Sequence, residues 1–239
     1  MNSCRTVMQA AVLFLISLSV TIFTIAPISA EPLSEQEIED WFNDDSEQDT
    51  DDVNEGHLEF ISPLTDKEIL STEGLITITE NSLKTGMVSL RQCYRNLDAV
   101  AEMDVMYSYK NMKRLQIVSS GNITDASVAG NSIQLQGVAG SAFVCVTAEA
   151  QLLESTDDGS YRLSYGPYYR RFLDGYYPYH VTMTIAYPQN RLVFAVISPS
   201  SRPLFELQKQ PGKLLMDTWF EGVLQVDITF SAIDAEAVE

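Results

Sequence analysis

Residues 223–230, with the sequence VLQVDITF, indicate the fold class of this chain most clearly. Leu224, Val226, Ile228 and Phe230 alternate with Gln, Asp and Thr. This period of two places the four apolar side chains on one face of an extended strand, whereas a helix would scatter them around its circumference. The stretch therefore predicts a β-strand with one face in a hydrophobic core.

Similar segments recur at intervals of roughly ten residues along the chain, with turn-forming residues between several of them, as at 157–159 and 188–190. The expected strands are 103–109, 113–119, 123–128, 131–136, 142–153, 160–165, 177–187, 191–197, 214–219 and 222–230. Because no alternation of strands with long helices appears, a parallel α/β fold is excluded. We predict a β-dominated α+β domain over residues 57–230, built as an antiparallel sandwich or open barrel.

One amphipathic helix is expected at the N-terminal end of this domain, packed on the sheet. Its apolar residues recur at steps of three and four. They are Leu83, Met87, Leu90, Tyr94, Leu97 and Ala101. An interior glycine, Gly86, weakens the pattern. A second helix start is expected at 63–69, with Gly74 closing that helix.

The first thirty residues resemble an export signal. Arg5 precedes an apolar run, residues 10–25, and small residues lead to a cleavage site after Ala30. An uncleaved anchor is the alternative, although this run is short for a hydrocarbon layer of about 30 Å. We expect residues 1–30 to be removed, with no membrane span in the mature chain. The protein would then be exported: periplasmic in a Gram-negative host and secreted otherwise.

The formal net charge of −18 is concentrated at the two ends of the 239-residue chain. Residues 31–55 hold twelve acidic residues and no basic one, and the last nine residues add three more. We expect residues 31–56 to be largely disordered and 231–239 to form an acidic tail. Such an acidic chain is not expected to bind nucleic acid, because the phosphate backbone would be repelled.

A short amphipathic helix is expected within the acidic segment, at residues 34–42. Ser34 and Glu37 form a capping box, and Ile38, Trp41 and Phe42 share one face of the helix. A helix this short needs a surface against which to bury that face. The sequence leaves open whether it docks on its own domain, docks in the groove of a partner protein, or is disordered.

Removal of the leader would leave Cys93 and Cys145 as the only cysteines. Two cysteines in an exported chain can pair in one way, and we predict a disulfide between them. The alternative is two buried thiols, or a thiolate nucleophile assisted by His57 or His180. His180 is expected to be a solvated or hydrogen-bonded strand residue.

Motifs for catalysis are missing from the sequence. It contains no G-x-S-x-G, no H-E-x-x-H and no glycine-rich phosphate loop. We therefore predict no cofactor, no metal ligand and no identifiable catalytic residue, and a non-enzymatic role is favoured.

The stretch 161–179 is the unusual part of the sequence, since it holds seven of the eleven tyrosines together with the adjacent arginines Arg170 and Arg171. Tyrosine and arginine are enriched in recognition surfaces. The candidate binding residues are Tyr165, Tyr168, Tyr169, Arg170, Arg171, Tyr176 and Tyr177. The alternative is that the tyrosines pack a long connection onto the sheet, with Asp174 neutralising an arginine.

These features suggest an exported, non-enzymatic binding or assembly module. Its partner would be a protein or glycan of the cell envelope. The alternative function is an envelope hydrolase whose carboxylate pair cannot be identified from the sequence.

Overall fold

Two β-sheets that share a hydrophobic core make up most of the computed structural model, which describes residues 54–64 and 68–233. In chain order the elements are β1 (Glu59–Phe60), β2 (Ser71–Thr77), α1 (Ser82–Thr85), β3 (Met87–Leu97), β4 (Val100–Met106), β5 (Lys110–Ala129), β6 (Ser132–Gln151), β7 (Leu153–Ser155), β8 (Tyr161–Tyr168), β9 (Arg171–Phe172), β10 (Gly175–Tyr176), β11 (Tyr179–Ala186), β12 (Leu192–Ser198), β13 (Phe205–Gln210), β14 (Lys213–Glu221) and β15 (Leu224–Ala232). The predicted β-dominated class is confirmed, and the architecture is consistent with a β-sandwich.

The large sheet has the strand order β14, β11, β2, β3, β6, with further strands at both edges. Both β1 and β13 pair with β14, β4 pairs with β6, and β5 follows β6 along its length. The β2–β11 pair is parallel, and the other pairs of this sheet are antiparallel. The small sheet has the antiparallel order β12, β15, β8, β7.

The core between the sheets contains the stretch that predicted the fold. Leu224, Val226, Ile228 and Phe230 of β15 are all fully buried. Burying an apolar side chain of this size stabilises the folded state by about 1.5–3 kcal/mol. Strand β15 continues to Ala232, two residues beyond the predicted end of the domain.

The predicted helix through residues 83–101 is wrong. Helix α1 is one turn long, because Gly86 adopts a left-handed conformation (φ 70°) and its N–H bonds back to Ser82 O. Strand β3 follows at once. A β-bulge between Arg95 and Leu97 turns Leu97 to the buried face. Because of the bulge, the buried residues Tyr94 and Leu97 are three positions apart in the sequence, which is a spacing typical of a helix.

The helix predicted to start at 63–69 and to end at Gly74 is also wrong where the structure describes it. Gly74 lies inside β2, between β3 and β11. A Cβ atom there would lie 2.3 Å from the Met183 side chain. The glycine therefore allows Met183 to pack closely over the strand, and it does not cap a helix.

The expectations for the leader (1–30), the acidic segment with its helix face Ile38, Trp41 and Phe42, and the C-terminal residues 234–239 lie outside the described residues. Among the helical residues that are described, none forms a stretch long and apolar enough to cross a membrane.

The predicted disulfide between Cys93 and Cys145 is confirmed. The two residues face each other directly in the β3–β6 ladder, with their Cα atoms 4.0 Å apart. The bond therefore fixes the register of the two central strands.

A network of buried tyrosines crosses the core. Gln92 of β3 donates a hydrogen bond from Nε2 to the Tyr168 hydroxyl of β8, at 2.6 Å, and so joins the two sheets. Thr72 and Tyr179 share a hydrogen bond of 2.6 Å between their hydroxyls. The Tyr94 hydroxyl lies 3.3 Å from the Gln92 side-chain oxygen. Each of these buried polar groups has a hydrogen-bond partner. Because another arrangement of the sheets would leave some of them without one, the network favours this packing of the core.

The free energy of unfolding should fall by about 4 kcal/mol when both cysteines are replaced (Cys93→Ala with Cys145→Ala), because the loop of 52 positions is no longer closed in the unfolded chain. Denaturant unfolding of the oxidised protein and of the variant measures this difference. Adding a reductant should lower the stability of the wild type and leave the variant unchanged. Equal stability of the two oxidised proteins would contradict the prediction.

Alkaline pH should unfold the protein through the buried tyrosines. Burial raises the pKa of Tyr94, Tyr165, Tyr168 and Tyr179 well above the usual value, so these phenols stay neutral in the folded chain. The unfolded chain releases the same protons near pH 10, and stability is therefore lost as the pH rises above about 10. Phenolate absorbance and circular dichroism, recorded together, should show one group of tyrosines ionising only as the fold is lost. Complete ionisation of all tyrosines with the fold intact would contradict this assignment.

Candidate functional site

The tyrosine- and arginine-rich stretch divides into buried anchors and an exposed hairpin. Tyr165, Tyr168 and Tyr179 are 1%, 5% and 4% exposed and lie in the core. Tyr165 and Tyr168 are therefore wrong as candidate binding residues, because their rings are covered by both sheets and the Tyr168 hydroxyl is held by Gln92. The remaining candidates lie in the segment 169–177, which we call the 169–177 hairpin.

The 169–177 hairpin is made of β9 and β10, with Phe172 facing Gly175 and Arg171 facing Tyr176. Its tip is apolar, since Leu173 is fully exposed and Phe172 is 42% exposed. Tyr169 is also about half exposed. Isolated apolar residues are common on protein surfaces, but several together on one projecting turn are typical of contact sites.

An ion pair holds the base of the hairpin. Arg170 donates from Nε and Nη2 to the two carboxylate oxygens of Asp98, at 3.1 and 2.6 Å. The side chains are 19% and 26% exposed, so the pair is largely shielded from water. The Arg170 guanidinium also lies 5.3 Å from the Phe172 ring centroid and 5.6 Å from that of Tyr177. The Arg170 guanidinium group is thus engaged in contacts within the protein.

Asp174 does not neutralise an arginine, contrary to the packing alternative. Its carboxylate accepts a hydrogen bond from the Tyr177 hydroxyl across the turn. Arg171 is exposed and lies 5.5 Å from the Tyr176 ring centroid. Of the two arginines, Arg171 remains available to a ligand.

The hairpin also contacts the first described residues of the chain. The Tyr176 N–H donates to Asn54 O at 3.1 Å. Gly56 adopts φ 113°, and a Cβ there would lie 3.1 Å from the Tyr176 ring. The hairpin is therefore fixed at β10 as well as at Arg170.

A second candidate surface, which sequence reasoning missed, is a groove of about 1160 Å³ on the outward face of the large sheet. We call it the sheet groove. Its lining side chains come from β2, β3, β5, β6, β11, β13 and β14, and include Glu73, Leu75, Arg91, Arg95, Phe143, Thr182, Glu206, Leu215, Asp217 and Trp219. The Cys93–Cys145 disulfide forms part of its floor.

His180 borders the sheet groove. Its ring stacks on Trp219, with the centroids 4.3 Å apart and the planes 14° from parallel. Its Nε2 lies 2.8 Å from Asp217 Oδ1. His180 is hydrogen-bonded, as expected, and these contacts orient the indole at one end of the sheet groove.

Carboxylates gather at the β14 edge of the groove face. The ladder places Glu206 opposite Asp217 and Glu59 opposite Glu221. Partial burial, and then repulsion from Glu59, raise the pKa of Glu221. No group of three His, Cys, Asp or Glu side chains suited to a metal ion occurs within residues 54–64 and 68–233.

Single replacements of the two neighbouring arginines should differ in their effect on stability. Arg170→Ala should lower the free energy of unfolding by about 1–3 kcal/mol, because the Asp98 carboxylate loses its partner in a shielded site. Arg171→Ala should change it by less than about 0.5 kcal/mol. Denaturant unfolding measures both free energies of unfolding. The double variant Asp98→Asn with Arg170→Ala should lose less stability than the sum of the losses in the two single variants. Equal losses of stability in the two alanine variants would show that the Arg170–Asp98 ion pair does not hold the base of the hairpin.

Comparisons with known proteins do not identify a family. No family model and no curated protein matches the sequence. Among solved structures, an M1 zinc metallopeptidase from Deinococcus radiodurans, bound to a Tyr-Ser-Ala substrate, has a TM-score of 0.35 at 7% identity, covering 75% of this chain and 43% of that one. Aminopeptidase A of Legionella pneumophila, in complex with aspartic acid, has a TM-score of 0.33 at 12% identity, covering 72% of this chain and 22% of that one. The chain thus spans less than half the length of either protein, and a likeness at this level shows neither a family nor a function.

Proposed function

We propose that this protein is an exported, non-enzymatic binding module that recognises another protein of the cell envelope through the 169–177 hairpin. The observation that carries the proposal is the exposed apolar tip, where Leu173 makes no contact that shields it from water and the adjacent Phe172 is 42% exposed. Burying these apolar side chains in a pocket of a partner removes their surface from water, and this transfer contributes favourable free energy to binding.

The hairpin is well suited to binding because it is already ordered at its base. The Arg170–Asp98 pair and the Tyr176–Asn54 hydrogen bond restrain it on both strands. A restrained loop loses little conformational entropy when a partner binds, and more of the contact energy then appears as affinity.

A protein is a better match than a glycan for this tip. The Leu173 side chain offers no hydrogen bond, whereas sugar hydroxyls lose hydrogen bonds to water and require polar partners in exchange. Tyr169, Arg171 and Tyr176 lie behind the tip, toward the base of the hairpin, and would supply the polar rim of a protein interface.

Two features support export. The Cys93–Cys145 disulfide is typical of proteins that fold in an oxidising compartment. The first thirty residues carry the pattern of a cleavable signal.

The hydrolase alternative would require a pair of carboxylates in a shielded cleft. Glu59 faces Glu221 and Glu206 faces Asp217 in the sheet ladder, and the raised pKa of Glu221 fits a proton donor. The Asp217 side chain is 68% exposed, however, and Glu59 and Glu206 are exposed as well. These carboxylates are better placed to attract a cation at the surface than to work in a water-excluded site.

Photo-cross-linking in the native envelope tests the hairpin. A photoreactive residue at position 173 should form a discrete adduct with a partner, whereas the same residue at Met106, which is 80% exposed on β4, should not. Excess unlabelled wild-type protein should suppress the adduct. The variant Leu173→Ser should compete at least about tenfold less well, while the control Met106→Ser competes like the wild type.

Both serine variants should unfold at the wild-type temperature, since neither side chain is packed. Cross-linking of equal strength at positions 173 and 106, or full competition by Leu173→Ser, would remove the hairpin as the recognition element.

A further inference from the structure

The sheet groove runs across the strands of the large sheet. The ladders align Asp217, Thr182, Glu73, Cys93 and Cys145 in one row, from β14 to β6. With about 4.8 Å between neighbouring strands, positions on β14 and β3 lie about 14 Å apart along this row.

The β14 end of the groove is negative. Glu206 faces Asp217 across the β13–β14 ladder, and like charges in directly opposed positions destabilise a sheet. Lys213 also lies on the groove face, but it is four residues from Asp217 along β14, at the far end of the strand. Asp217 contacts His180 Nε2 at 2.8 Å, but among the described residues no Lys or Arg forms an ion pair with Asp217 or Glu206. A cation supplied from outside would therefore stabilise this pair of carboxylates.

The β3 end is positive. Arg91 and Arg95 both lie on the groove face of β3. Within the described ranges, the one carboxylate in ion-pair distance of Arg95 is Glu73, at 3.8 Å with both side chains exposed, and Arg91 has none. A pair this long and exposed contributes little, so the two guanidinium groups remain available to an anion.

Between the two ends the floor carries the Glu73 carboxylate, which lies 3.8 Å from Arg95, and is otherwise uncharged and mixed in polarity. Thr182 and Thr184 present hydroxyls, while Leu75, which is 39% exposed, and Leu215 present aliphatic surface. Hydroxyls suit the amide groups of an extended backbone, and the leucines suit aliphatic stems of side chains.

We propose that the sheet groove binds an extended polypeptide segment that carries a cationic side chain and a carboxylate side chain four residues apart. In an extended chain, residues four apart point to the same side and are separated by about 13–14 Å. Asp217 and Arg91 are three strand spacings apart across the sheet and two residues apart along the strands, so their Cα positions are about 16 Å apart. Four residues is the same-side spacing closest to this separation, and the side chains can span the remaining difference. The site is distinct from the 169–177 hairpin and does not depend on the function proposed for it.

Short peptides with blocked termini test the spacing. The probe is acetyl-Ser-Lys-Ser-Thr-Ser-Glu-Ser-amide. The control peptide, acetyl-Ser-Lys-Ser-Thr-Glu-Ser-Ser-amide, has the same composition, but its Lys and Glu are three residues apart and point to opposite sides of an extended chain. The protein carries two tryptophans, so Trp41→Phe in the full chain leaves Trp219 as the only indole reporter. The probe should quench or shift Trp219 fluorescence saturably and bind about fivefold or more tightly than the control.

Reversal of one charge at the groove tests the assignment of its two ends. Arg91→Glu should lower the affinity for the probe peptide about fivefold or more. The same variant should prefer a peptide in which both charged residues are Lys at the same spacing. The matched control is Arg162→Glu, an exposed arginine on β8 of the small sheet, which should behave like the wild type. Both arginines are exposed, and circular dichroism should show unchanged folds.

Four outcomes would overturn the proposal: no saturable binding of the probe, equal affinity for both spacings, no effect of Arg91→Glu, or saturable competition by a neutral oligosaccharide such as maltohexaose. Sedimentation velocity completes the test. A concentration-dependent dimer that Arg91→Glu dissolves would assign the groove to a second copy of the chain and would equally overturn the proposal.

Discussion

The hydrogen bond from Gln92 to the Tyr168 hydroxyl is the interaction on which the placement of the 169–177 hairpin depends. It connects β3 of the large sheet with β8 of the small sheet inside the core. A buried amide or phenol without a partner costs free energy, so the two sheets are favoured in the one arrangement that pairs these groups. The same bond fixes the start of the hairpin, because Tyr168 is the last residue of β8. Tyr179, the first residue of β11, is held by Thr72 in the same way. The hairpin thus emerges between two anchored tyrosines.

The two candidate surfaces use different properties of this fold. The hairpin presents apolar side chains on a short, braced projection, which suits a pocket in a partner. The sheet groove instead displays the outward side chains of seven strands, with carboxylates near β14 and arginines on β3. The disulfide in its floor fixes β3 against β6 and thereby keeps the positive end in place. The two proposals therefore assign ligands of different chemistry to separate faces of the domain.

The sequence predicted those features that rest on local pattern. The alternation of 223–230 identified a buried strand, and two cysteines in the expected mature chain identified the disulfide. The helix at 83–101 failed because a bulge beside Arg95 changed the phase of an alternating strand, which periodicity alone cannot distinguish from a helical step. Composition identified 161–179 as unusual but could not separate buried Tyr168 from exposed Tyr169, because β8 ends at Tyr168 and composition does not mark that boundary. The sheet groove could not be predicted at all, because Asp217 and Arg91 come together only through the order and register of four strands.

Hydrogen exchange of the Gln92→Leu variant tests most directly whether the buried network holds the hairpin. The leucine fills most of the same volume but cannot bond to Tyr168. The amides of Tyr176 and Tyr177, which bond to Asn54 O and Arg170 O, should exchange at least about tenfold faster than in the wild type. The amides of β12 and β15 should keep their wild-type protection. Unchanged exchange at Tyr176 and Tyr177, or equal acceleration throughout both sheets, would contradict the account.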